Sequence, residues 1–188
     1  MPEAVKAEAF PSHTIDSAPA GAQRALSAIQ DHQGYLPDAA GRLANSPHTL
    51  DGFLKVNAIF EGSSLDPIAR EVIVLTIATR NGCHLCVAMH TARLSKLDAD
   101  AGLIAALHES KPLADERLEA IRAFTLRVLA TTGDVGDEAL DAFFAHGYTP
   151  QNALEVVLGI GTYTLSTLAN RLVGARVDEQ LHPFAWHG

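Results

Sequence analysis

Residues 65–82, LDPIAREVIVLTIATRNG, decide the fold class. The centre, VIVLTIAT, is β-branched and would pass for a buried strand. Asp66 followed by Pro67 is instead a helix-start signal: a side chain able to cap, then a ring pre-set for the first helical position. A lone strand cannot satisfy its backbone, and no second convincing strand stands elsewhere in the chain. The stretch is therefore read as a helix apolar around its whole girth, which makes it central and buried.

Working outward, the neighbours also read as helices. In 46–62, SPHTLDGFLKVNAIFEG, Ser46 is a cap, Pro47 opens the helix and Gly62 stops it, with Leu50, Phe53, Leu54 and Asn57 on one face. After Gly82, CHLCVAMHTARLSKL continues helically from about residue 83 to 96. Residues 98–107 start another helix, with Asp98 or Asp100 as cap. In 114–133 the inner stripe is Leu118, Ile121, Phe124, Thr125 and Val128. Residues 136–147 are shorter. Residues 149–174 form the last long helix, with Thr149 as cap and Pro150 at its first position. Gly159 and Gly161 inside it point to close helix–helix approach. Short helices are expected in 21–34 and 37–46. The chain reads as all-α with one domain at 21–175, an irregular arm at 1–20 and an irregular tail at 176–188. Phe184 and Trp186 in the tail suit either a neighbouring subunit or their own chain.

The chain has 188 residues, 47% hydrophobic and 19% charged, which is ordinary for a folded domain with a sizeable core. Its net charge of −8 argues against a nucleic-acid surface. The first 20 residues lack the charged-then-apolar order of a signal peptide. No apolar run approaches the ~20 residues that span a bilayer, so a cytoplasmic protein is expected.

Both cysteines lie in 81–90, NGCHLCVAMH. In a reducing compartment a close pair points to redox or metal chemistry more than to a structural bridge. A helix starting near Cys83 would put the dithiol in its first turn, where free N–H groups favour a thiolate. His90, four residues after Cys86, shares its face and can serve as base. Glu71, on the preceding apolar helix, needs a partner, and can hold His90 or relay a proton. Haem attachment is excluded because Val87, not histidine, follows Cys86. A closed zinc site needs four ligands, and Cys83, Cys86 and His90 supply three. A redox dithiol, a metal site and two buried structural sulfurs all remain open at this point.

Glu71, Cys83-x-x-Cys86 and His90 together resemble the active-site pattern of the alkyl hydroperoxidase D-like and carboxymuconolactone decarboxylase superfamily. Residues 64–94 look like that family's core. Residues 46–62 and LGIGTYTLSTLANRL, 158–172, look like flanking helices of its peroxidase-related branch, so the resemblance spans about 40–175. It implies an all-α helical bundle that forms homo-oligomers (dimers, trimers or hexamers) and a peroxidase without metal or haem. On that pattern Cys86 attacks the hydroperoxide and Cys83 resolves it. His90 and Glu71 relay the proton, and a dithiol donor resets the pair. The sequence departs from the pattern at Leu85, where relatives carry a second histidine; His84 is ~100° away around a helix and no substitute. Decarboxylase members generally lack the cysteine pair. A thiol-disulfide protein or sensor using the same dithiol is the alternative. Tyr163 and Asn170 share a face, which suits packing better than a pocket wall. His108, His146, His182 and His187 read as surface residues.

Overall fold

The computed structural model describes residues 3–188, and helices make up all the regular structure among them. In order these are α1 (Glu3–Ala9), α2 (Ala20–Gln33), α3 (Asp38–Leu43), α4 (Pro47–Glu61), α5 (Pro67–Arg80) and α6 (His84–Lys96). They continue with α7 (Ala101–His108), α8 (Glu116–Thr131), α9 (Asp137–Ala145) and α10 (Pro150–Val173). A 3₁₀ turn follows at Glu179–Phe184. The all-α expectation is borne out.

The ambiguous stretch is helix α5. Asp66 accepts the Ala69 N–H at 2.8 Å, and Pro67 occupies the first turn. Residues 71–79 are all buried. Threonine, a poor helix former, is accommodated by back-bonding: Thr76 donates to the Val72 carbonyl at 2.6 Å and Thr79 to that of Leu75 at 2.7 Å. Burial against α6, α7, α8 and α10 overrides the β-propensity of this segment.

The other helix starts follow their capping residues. Ser46 accepts from Thr49, Asp100 from Gly102 and Leu103, and Thr149 forms a reciprocal box with Asn152. The stripe on α8 is as read, with Ile121, Phe124, Thr125 and Val128 buried and Leu118 half-buried. On α10 the two glycines divide. A Cβ at Gly159 would stand 2.7 Å from the Phe60 ring, whereas Gly161 faces open space. Only Gly159 marks the close approach of α10 to α4.

Two terminal expectations are corrected. The arm is not irregular throughout, because Glu3–Ala9 is helical. A seven-residue helix is marginal alone. It is held by tertiary bonds: Lys6 donates to the Arg171 carbonyl at 2.8 Å, and Arg42 to that of Phe10 at 2.8 Å. The tail turns through the 3₁₀ segment and packs on its own chain. The Trp186 indole donates to the His108 carbonyl at 3.2 Å, and its ring lies 5.1 Å from that of His84. His108 is half-buried and tied to Thr91 at 2.7 Å, so it is not a plain surface residue. No helix among the described residues is long and apolar enough to cross a membrane.

Candidate active site

The turn between α5 and α6 sets the position of the cysteines. Gly82 has φ +61°, a left-handed conformation that glycine adopts without strain. The turn is pinned to α10, since the Asn81 amide donates to Thr167 at 2.8 Å and Arg171 donates to the Asn81 carbonyl. Cys83 is thereby the N-cap of α6, and its sulfur accepts the Cys86 N–H at 3.4 Å. Cys83 and Cys86 are joined as a disulfide, with Cα atoms 5.3 Å apart. Both are buried.

One turn further along α6, His90 Nδ1 lies 2.6 Å from Glu71 Oε2, and both side chains are buried. Burial alone would raise the Glu71 carboxyl. The charges and hydrogen bonds of His90 and Arg93 outweigh it and hold the group below the ordinary carboxylate range. An ionised carboxylate only accepts, so the ring hydrogen that faces Glu71 sits on Nδ1. Arg93 reaches the other Glu71 oxygen at 3.4 Å and also bonds Glu61. Burial would lower the Arg93 guanidinium, but these two carboxylates raise it instead.

The α10 face completes the site. The Tyr163 ring stands edge-on to the His90 imidazole at 5.0 Å, and its hydroxyl donates to Asn57 at 2.8 Å. Burial raises the Tyr163 phenol well above its ordinary value, so it stays neutral and a donor. Asn170 Nδ2 points to the Cys86 sulfur at 3.4 Å. These groups line a cavity of 150 Å³ that Cys86 enters and Cys83 does not. Its far walls are apolar, built from Leu50, Phe53 and Leu54 of α4, Leu43 of α3 and Met89 of α6.

Of the four residues singled out from the sequence, the structure bonds Glu71 to His90 and Cys83 to Cys86, and it places Cys86 and His90 on one cavity. Tyr163 and Asn170, read as packing residues, line that cavity instead. Arg93 was missed, although it stands three residues after His90 on the same helix face. Leu85 is buried in the apolar core and does not line the cavity, while His84 turns outward to the Trp186 carbonyl at 3.0 Å. Among the described residues no group of three or more His, Cys, Asp or Glu could hold a metal ion.

Comparison with known proteins bears on the fold that carries this arrangement. Residues 47–126, from α4 through the cysteines into α8, match the carboxymuconolactone decarboxylase family. An alkylhydroperoxidase AhpD core, an uncharacterized peroxidase-related protein from Ralstonia eutropha JMP134, superposes with a TM-score of 0.81. It is 22% identical and covers 92% of this chain and 93% of its own. The middle of the chain thus resembles the carboxymuconolactone decarboxylase family, and the chain as a whole has the fold of an alkylhydroperoxidase D core. A second structure with this alkyl hydroperoxidase D-like fold, a peroxidase-related protein from Silicibacter sp. TM1040, gives 0.76 at 18% identity over 92% of each chain. The debrominase Bmp8, solved with 2,3,4-tribromopyrrole, gives 0.67 at 13% identity over 86% of this chain and 88% of its own. No curated protein matches the chain in sequence. The stretch that matches the family model contains the Cys83–Cys86 pair at disulfide distance.

Proposed function

We propose that the chain is a cysteine-based alkyl hydroperoxide reductase working through Cys83 and Cys86. The observation that carries the reading is that Cys86 shares its cavity with His90, while Cys83 lies within disulfide reach behind it. In the reduced protein His90 Nε2 takes the Cys86 proton, and Glu71 balances the imidazolium that results. The Cys86 thiolate attacks the terminal oxygen of the hydroperoxide. An S–O bond forms, the O–O bond breaks, and the leaving alkoxide takes the proton from His90. Cys86 is left as a sulfenic acid. The Cys83 sulfur then attacks that sulfur, the S–O bond breaks, the thiol proton of Cys83 leaves with the hydroxyl as water, and the disulfide forms. A dithiol donor restores both thiols by exchange.

The apolar walls from α3, α4 and α6 suit the organic part of an alkyl hydroperoxide. A cytoplasmic setting belongs to the same reading, because the cycle needs a dithiol supply. So does self-association, which the outward stripe of α10 supports. Leu154, Val157, Leu165, Leu168 and Leu172 are all exposed at spacings that share a face. Light scattering would measure the subunit number.

The test is stopped-flow reaction of the reduced protein with cumene hydroperoxide, counting thiols before and after. Loss of two thiols is expected in the wild type, and a trapped sulfenic acid on Cys86 in Cys83→Ser. Thiols that survive excess hydroperoxide for minutes would refute the peroxidase and leave a thiol-disulfide exchange protein.

A further inference from the structure

Asn170 is buried, with 6% of its surface exposed, and it reaches the cavity from α10. Its Nδ2 has two partners, the Cys86 sulfur and the Ser166 hydroxyl, each at 3.4 Å. Its Oδ1 is buried with none. A buried acceptor without a donor is uncommon, and here it sits at the end of an amide whose other end touches the reacting sulfur. That leaves the Oδ1 end of an amide whose nitrogen touches Cys86 able to accept a hydrogen bond.

Resting on the peroxidase reading, we propose that Asn170 is a catalytic residue whose Oδ1 accepts the terminal O–H of the bound hydroperoxide while Nδ2 donates to the Cys86 thiolate. The electron and proton balance of the step explains why an amide suits this place. When sulfur attacks the terminal oxygen, the O–O electron pair leaves with the alkoxide, which is protonated from His90. The hydrogen on the attacked oxygen never transfers; it stays with that oxygen and becomes the sulfenic O–H. Its acceptor must hold it without removing it. An amide oxygen accepts a hydrogen bond but is too weakly basic to take the proton, unlike a carboxylate or imidazole. One side chain thus aligns the sulfur and oxygen between which the new bond forms, and the same contact persists in the sulfenic acid. In the disulfide no such O–H exists, which accounts for the orphaned Oδ1.

The experiment uses full-length Cys83→Ser, in which Cys86 is the sole cysteine, with and without Asn170→Ala. Sulfenic acid formation from cumene hydroperoxide is timed by stopped flow. Alkylation of the same thiol by iodoacetamide is timed over a pH series that yields the thiolate fraction. Iodoacetamide has no peroxidic O–H to hold. Per thiolate, Asn170→Ala should slow the hydroperoxide reaction about tenfold to a hundredfold, as loss of one hydrogen bond to a reacting group does. Alkylation per thiolate should change less than twofold, because that reaction makes no use of Oδ1. Asn170→Leu, which keeps more of the bulk while removing both polar ends, should behave alike and stands in if the alanine variant does not fold. An equal loss in both reactions, or none in either, overturns the Asn170 role while leaving the peroxidase reading intact. Failure of Cys83→Ser itself to react with hydroperoxide removes both.

Discussion

Glu71→Gln is the substitution that probes the centre of the site. It keeps the shape of the side chain and removes its charge. The buried carboxylate holds His90 at 2.6 Å and Arg93 at 3.4 Å. The Arg93 contact is the weaker one to lose, because that guanidinium is 43% exposed and keeps Glu61. The His90 contact is fully buried, and a hydrogen bond to a charged group is worth ~1.5–3 kcal/mol. At ~2–4 °C per kcal/mol for a chain of this size, the melting temperature at pH 7 should fall by about 3–12 °C. The sign of the pH dependence follows from the depressed carboxyl. Its contribution is complete above the ordinary value of 4.5 and is lost as pH falls through the lower folded value. The gap between wild type and variant should therefore close in strong acid, where the wild-type carboxyl is also neutral. On the peroxidase reading, thiol oxidation by cumene hydroperoxide should slow about tenfold or more, since the imidazolium loses its counter-charge. Scanning calorimetry at pH 7 and at acid pH, beside stopped-flow oxidation, measures each part. A melting point within a degree of wild type at pH 7, or a deficit that persists undiminished in acid, would refute the reasoning.

Gly159→Ala should destabilise by about 1–3 kcal/mol, because its methyl would press on the buried Phe60 ring at 2.7 Å; Gly161→Ala, facing open space, should stabilise by about 0.5–1 kcal/mol. Urea titration of the two variants tests the contrast, which reverses if the α4–α10 approach is misplaced. Tyr163→Phe removes the hydroxyl that donates to Asn57 at 2.8 Å and keeps the ring against His90. A cost of ~0.5–1.5 kcal/mol is expected, with oxidation kinetics little changed; a collapse in rate would assign the hydroxyl a chemical role. Leu85→His supplies the second histidine of the pattern the sequence resembles, but it buries an imidazole in the core. It should lower the melting temperature by several degrees, at ~1–3 kcal/mol for an unpaired polar group, without speeding oxidation; faster oxidation would count against the core placement of that residue.

Much of the fold was legible because helix starts are written in local chemistry. Asp66–Pro67, Ser46–Pro47 and Thr149–Pro150 each pair a capping side chain with a ring that favours the first turn. The α1 helix was not legible, since Lys6 secures it through a carbonyl 165 residues away. In the site, the pairing of Glu71 with His90 could be read as a buried charge in need of a partner. Tyr163 and Asn170 could not be told from packing residues, because periodicity gives the inward face of a helix but not whether atoms or a cavity meet it. The shared face of Leu50, Phe53, Leu54 and Asn57 was visible for the same reason, and its role as a cavity wall was not.

The sulfur of Cys83 is both half of the disulfide and the cap of α6. As a bonded sulfur it is a weak acceptor for the Cys86 N–H; as a thiolate it would bring a full negative charge to the positive end of the helix dipole. Opening the disulfide therefore strengthens the start of α6. By linkage, a helix that prefers the dithiolate form makes its disulfide the stronger oxidant, and a mild dithiol suffices to reduce it. On the peroxidase reading, the hand-over of electrons from the dithiol donor is thus favoured by the backbone itself, at the residue where the turn after α5 becomes α6.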